Sequence, residues 1–336
     1  MRMTWRRPAL RARVVALIAP LLLACGASGD DLTDPTDPGP GALVFRASLI
    51  DTALILMITP LGNLNPPGHS LPTDHIYFRV ADPNLGQTPA ARRTAFFAPA
   101  DGIVRDVIAH SPLPDVKVMI RATSTIVYYV DHLIPDVPLA RGTRITAGQR
   151  LGMTGSVFDI DLGVINDELT LTGFVNPARY GEAVHTDAPL RYYAEPLRSQ
   201  LYAKVQRIGP DLDGRIDYDI PGRLSGNWFT SDSIPLVFAY NTYDPGDVVI
   251  SVAGGLSRNG LYAIAATDPL PRDVSVASGT VRYTLAGSHM GPGTRTGMPI
   301  ARMLVRMLDD QRIRVEMFTV SESADTFTNN ATEFVR

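Results

Sequence analysis

The chain has 336 residues, of which 45% are hydrophobic, 7% aromatic and 19% charged, a globular composition that excludes a disordered or fibrous protein. Its formal charge is −3 without a polybasic run, which leaves no nucleic-acid partner to expect. Its single cysteine excludes an internal disulfide framework and a cysteine-based zinc knuckle.

The first 24 residues hold five arginines (Arg2, Arg6, Arg7, Arg11 and Arg13) and no acid. The apolar run from Val14 to Ala24 falls short of the ~20 residues that span a bilayer and fits the core of a secretory signal. Without this segment 26 basic residues face 34 acidic ones, so the mature chain is near −8. Residues 25–42 have almost no apolar content beyond Cys25 and read as an acidic, flexible tether.

Residues 43–195 contain short apolar runs broken by turn signals: Ala42 to Phe45, Ile55–Ile58, Ile76–Val80, Val116–Ile120, Ile126–Val130 and Phe158–Ile165. This block is predicted to be β-rich. In Pro99-Ala100-Asp101-Gly102 the proline presets φ and the glycine is expected to take a positive-φ position. After Pro196, Leu197, Leu201, Val205 and Ile208 recur at helical spacing, predicting a linking helix within 196–212. Residues 213–336 return to strands at Leu236–Tyr240, Val248–Val252, Leu261–Ala265, Val281–Leu285, Met303–Leu308 and Ile313–Val320. The last two flank Asp309-Asp310-Gln311 as a hairpin. Arg312, Arg314 and Glu316 alternate with Ile313, Val315 and Met317, predicting one wet and one buried face in an antiparallel barrel or sandwich. The expected fold is therefore mainly β: an N-terminal β domain, a short helix and a C-terminal antiparallel barrel or sandwich.

Two resemblances bear on export and chemistry. Leu22-Leu23-Ala24-Cys25 resembles the lipobox of bacterial lipoproteins, which implies that Cys25 is diacylated and begins the mature chain, with a bilayer as partner. Gly26 after it, rather than aspartate, implies the outer membrane, facing the periplasm. The second resemblance rests on a series of motifs: Gly68-His69 to Asp74-His75 and Phe78, Phe97 to Val104 around Asp101-Gly102, Tyr129-Val-Asp131-His132-Leu133, Gly142 to Gly152, and Asp159-Ile160-Asp161-Leu-Gly163. In this order they resemble the lysostaphin-type (LytM-like) zinc endopeptidase domain, the duplicated hybrid motif fold, over roughly residues 60–170.

The resemblance implies metal ligands at His69, Asp74 and Asp161 and assisting roles for His132 and Asp159. His69 and Asp74 are one residue further apart than the family pattern, and Asp159 and Asp161 replace both histidines of its late pair. A His/Asp/Asp set is more anionic than an imidazole-rich one, making zinc a poorer Lewis acid. The leading expectation is thus a non-catalytic envelope protein that binds peptidoglycan, an envelope protein or a small apolar ligand, with no cofactor. The alternative is a zinc-dependent murein endopeptidase. His75 alternates with Tyr77 and Arg79 and reads as a polar-face strand residue; His110, His185 and His289 read as surface residues. Basic residues are almost all arginine, Lys117 and Lys204 being the only lysines. Gly226-Asn227-Trp228 resembles the Gly-x-Trp at the start of lipocalin-type barrels, which implies a late-strand arginine, Arg312 or Arg314, over the indole. A barrel of this length could hold one small ligand.

Overall fold

The apolar runs fold as strands, and the chain is mainly β, with two sheets and one α-helix among the described residues. The computed structural model describes residues 37–80, 93–155, 157, 159–288, 295–322 and 325–336. The signal segment, Cys25, most of the tether and His289 lie outside the described residues. The first sheet contains β1 (Ile55–Thr59), β2 (His75–Val80), β3 (Ala95–Phe97), β4 (Gly102–Ala109), β5 (Val116–Arg121), β6 (Ile126–Pro135), β7 (Arg144–Ile145), β8 (Arg150–Thr154), β9 (Asp159–Asn166) and β10 (Thr186–Asp187). Its main path runs β1-β2-β9-β6-β5-β4-β7. The period of two sends Ile76, Phe78, Tyr128, Val130, Ile160 and Leu162 into one core. His75, Tyr77, Tyr129, Asp131, Asp159 and Asp161 are thereby left on the other face of β2, β6 and β9.

Two local expectations are corrected. Gly102 does not sit at positive φ; it is required because a Cβ there would lie 2.5 Å from Ile120 Cγ2 and 2.8 Å from Arg121 O. The linking helix, α1, spans only Leu197–Tyr202. Beyond it Ile58 N donates to Lys204 O and Gln206 N to Ile58 O, so the chain pairs with the exposed edge at β1. Hydrogen bonds offered by that edge override the helical spacing of Val205 and Ile208.

The second sheet is a closed antiparallel barrel of eight strands: β11 (Gly226–Phe229), β12 (Pro235–Tyr240), β13 (Val248–Val252), β14 (Gly260–Ile264), β15 (Thr280–Ser288), β16 (Arg295–Met307), β17 (Arg312–Thr319) and β18 (Thr332–Val335). Phe229 pairs with Val335 to close it. Its inward positions, among them Trp228, Phe238, Ile250, Tyr283, Met303 and Phe334, form a contiguous side-chain core. Trp228 is fully buried and donates its Nε1–H to Leu224 O at 2.8 Å. The cation over the indole is neither Arg312 nor Arg314. Both project outward from β17, alternating with inward-facing Ile313 and Val315; Arg312 pairs with Asp309 and Arg314 lies over Phe327. Arg336 takes the position, 3.8 Å from the ring centroid, and donates to the carbonyls of Ile220, Arg223 and Ser225. Glu316, expected on a wet face, is buried, its carboxylate accepting from the Thr328 N–H and hydroxyl.

The outer wall of the barrel supports the segment entering β2. Val237, Ala239, Val249 and Leu261 face outward yet are buried against Leu64, Leu71 and Tyr218. Ser251 Oγ donates to Ser70 O at 2.9 Å and Thr242 Oγ1 to Leu61 O at 2.6 Å. Residues 35–336 form one compact unit.

Candidate metal site

The site grows from the register of three strands. Tyr77 of β2 and Asp131 of β6 both pair with Asp161 of β9, while Tyr129 faces Gly163. Tyr129 lies across that glycine: a Cβ on Gly163 would sit 2.1 Å from the ring. This approach brings the Tyr129 hydroxyl to Asp74 Oδ1 at 2.7 Å and to His75 Nδ1 at 3.2 Å.

A bulge supplies the second imidazole. The β5–β6 register shifts between Val116 and Val118, and His132 takes φ 61°, a left-handed conformation uncommon outside glycine. The re-aimed ring has Nδ1 3.0 Å from Asp115 Oδ2 and Nε2 3.7 Å from Asp161 Oδ2. His75 matches it, with Nδ1 2.9 Å from Asp74 Oδ1 and Nε2 3.3 Å from the same Asp161 oxygen. Two imidazoles, each backed by a carboxylate, thus turn their Nε2 atoms toward one buried aspartate. His75 Nε2 and Asp161 Oδ1 are buried without any hydrogen-bond partner.

The electrostatics are coupled. Burial pushes the Asp161 carboxyl up, against the pull of His75 and His132. Burial also opposes charge on His75, but Asp161 and Asp74 outweigh it and raise its pKa. Asp74 stays well below the usual carboxylate range because hydrogen bonds from His75 and Tyr129 outweigh its burial. His69 is lowered by burial, then by His75 and His132.

The residues singled out in the sequence distribute as follows. His132, Asp161 and Asp74 belong to the cluster, Asp74 as the partner of His75. His69 stands beside it, its ring 5.9 Å from that of His75. Asp159 is held by Arg79, with contacts of 2.5 and 2.8 Å, and points its charge there. His75, read as a strand-face residue, sits at the centre. His110 belongs to the site as well: its Nε2 is 2.6 Å from Asp131 Oδ1 and its ring stacks on His132 at 5.5 Å. His185 Nδ1 bonds Leu169 O. Of the two lysines, Lys204 binds Ile55 O, whereas Lys117 lies 3.9 Å over the Tyr129 ring and 3.9 Å from Asp131. His110, Asp131 and His132 offer ligand atoms within 4.8 Å of one another, but the Lys117 ammonium beside Asp131 competes with a cation there.

The donors fit a divalent metal. Imidazole nitrogens with one carboxylate suit zinc, and carboxylates behind both Nδ1 atoms fix the tautomers that present Nε2. His75 Nε2, one of the two nitrogens turned toward Asp161, is buried without a hydrogen-bond partner.

No family model matches the chain, and no curated protein matches it. Among solved structures it is similar to Helicobacter pylori Csd3, at TM-score 0.31 and 14% identity, over 46% of this chain and 35% of that one. It is also similar to a zinc containing peptidase from Vibrio cholerae, at TM-score 0.26 and 18% identity, over 37% of each chain. The antimicrobial peptidase lysostaphin from Staphylococcus simulans matches at TM-score 0.29 and 10% identity, over 88% of this chain and 91% of that one.

Proposed function

We propose that the chain is an envelope lipoprotein, tethered through Cys25, whose first sheet carries a zinc centre that hydrolyses peptide bonds of the LytM-like substrate class. The observation that carries this reading is the convergence of His75 Nε2 and His132 Nε2 on Asp161, with buried atoms of His75 and Asp161 left unsatisfied. His75, His132 and Asp161 would hold the metal, with His69 beside them. When bound, zinc polarises a carbonyl and lowers the pKa of water. The chain's own residues prepare that chemistry. Asp74 and Asp115 accept from the two Nδ1–H groups, orienting the rings and raising their basicity. Tyr129 donates to Asp74 and holds it in place. Lys117 adds fixed positive charge over the Tyr129 ring, favouring a substrate oxygen that gains negative charge. Relative to the ligand set implied by the sequence, His75 replaces His69 and His132 replaces Asp74, so that a second imidazole stands in place of an acid.

The test is metal analysis of the purified full chain beside a muropeptide digest. One zinc per chain is expected, lost in His75→Ala and Asp161→Asn, with release of muropeptides abolished in both. Substoichiometric zinc in the wild type would remove this reading. Stoichiometric zinc without hydrolysis would leave the binding role that the late acids suggest in the sequence.

A further inference from the structure

A cavity of about 470 Å³ opens beside the cluster, within the range of roughly 300–1,000 Å³ usual for small ligands. One end is formed by His69, Asp74 and His75, and the other by residues on the barrel side, including Arg179, Tyr180 and Asn227. Arg179 is exposed, and no described carboxylate forms an ion pair with it; its guanidinium is steadied instead by the Phe229 ring, 4.9 Å from the centroid. Apolar wall comes from Leu71, Phe174, Ile216 and Pro235, with the Phe174 and Tyr180 rings tilted against each other at 4.2 Å. The wall also contains an unmet hydrogen bond. Asn227 is 1% exposed; its Nδ2 donates to Tyr180 OH at 3.1 Å while its Oδ1 has no partner.

From these features we infer that the cavity is a subsite for a short peptide ending in a free carboxylate, which Arg179 recognises. A guanidinium without an acid partner, held on an aromatic face, is preorganised for bidentate contact with a carboxylate. With its carboxylate at Arg179, the ligand runs its preceding backbone along the cavity toward His75. The apolar wall suits small aliphatic side chains. Both sheets supply walls, so neither forms this subsite alone. The choice of a peptide rests on the hydrolase reading above, but the carboxylate preference does not.

The test separates the two. The full chain is freed of metal with a chelator and exchanged into buffer. Calorimetry then compares N-acetyl-trialanine as the free acid and as the C-terminal amide. The acid is expected to bind at least about tenfold tighter, as charge-assisted hydrogen bonds imply. Arg179→Gln should bring the acid down to the amide's affinity and leave the amide unchanged. Arg179→Lys should restore part of the difference. His75→Ala should keep the preference while losing zinc, so failure of the metal centre does not mimic failure of the subsite. Equal binding of acid and amide, a preference that survives Arg179→Gln, or no binding of either peptide would overturn the inference. Arg179 is exposed, so its variants should melt at the wild-type temperature, which a thermal scan verifies.

Discussion

At the scale of single residues, the site depends on two backbone accommodations. His132 holds a left-handed conformation, a strain of about 1–3 kcal/mol that the surrounding sheet must sustain. Gly163 leaves room for the Tyr129 ring. Gly163→Ala is expected to cost about 1–3 kcal/mol through overpacking and to lift the hydroxyl of Tyr129 from Asp74. A thermal melt and a zinc titration would register both effects together. Asp115→Asn keeps the shape at His132 but removes the charge behind Nδ1, so zinc affinity should fall about 10–100-fold with the fold retained; competition with a chromophoric chelator measures it. Some of these residues were legible in the sequence. His132, Asp161 and Asp74 stand out through the motifs that resemble the LytM-like domain. His75 did not, because strand alternation gives a ligand and a solvated residue the same signature; only its adjacency to Asp74 hinted otherwise. Asp115 carried no signal, since the bulge that brings it to His132 has no local sequence mark.

At the scale of elements, strand positions in the sequence were clear wherever apolar runs exceeded about four residues, as at Val248–Val252, which the structure reproduces. Short pairing segments such as β7, β10 and β18 were invisible, because two to four residues have no measurable periodicity. The helix after Pro196 was overestimated because a sheet edge competed for the same backbone. The barrel base was half legible: Trp228 was evident, but its cation comes from the chain's last residue. Burial lowers the Arg336 guanidinium to about 10, so it remains charged at neutral pH. Trp228→Ala should cost ~3–5 kcal/mol, as a fully buried aromatic does. Arg336→Met should destabilise as well, by leaving the carbonyls of Ile220, Arg223 and Ser225 without their donor. Combining the two in a double-mutant cycle should show coupling of about 0.5–3 kcal/mol in urea denaturation, whereas additive losses would mean that the stacking contributes nothing.

At the scale of the whole molecule, both sheets bury tyrosines. Tyr128 and Tyr193 lie in the first core and Tyr283 in the barrel, each nearly inaccessible, and burial raises the pKa of all three. The sign follows from linkage. The unfolded phenols lose protons near pH 10 while the folded ones retain them, so this contribution is complete below about pH 10 and is lost as pH rises further. Absorbance at 295 nm should show these phenols ionising only together with loss of near-ultraviolet circular dichroism. Ionisation well before unfolding would mean that water reaches them in the native state.

The outward wall of the barrel has a consequence for how the sequence can drift. A barrel exterior is ordinarily the permissive side, where substitutions meet only solvent. Here Val237, Ala239, Val249 and Ser251 project outward and are fully covered, and Ser251 holds the carbonyl next to His69. In a saturation library selected for activity, this stripe should tolerate change as poorly as the lumen does, while outward positions on β17 such as Arg312 and Arg314 vary freely. The barrel wall would then register the needs of a site built on another sheet.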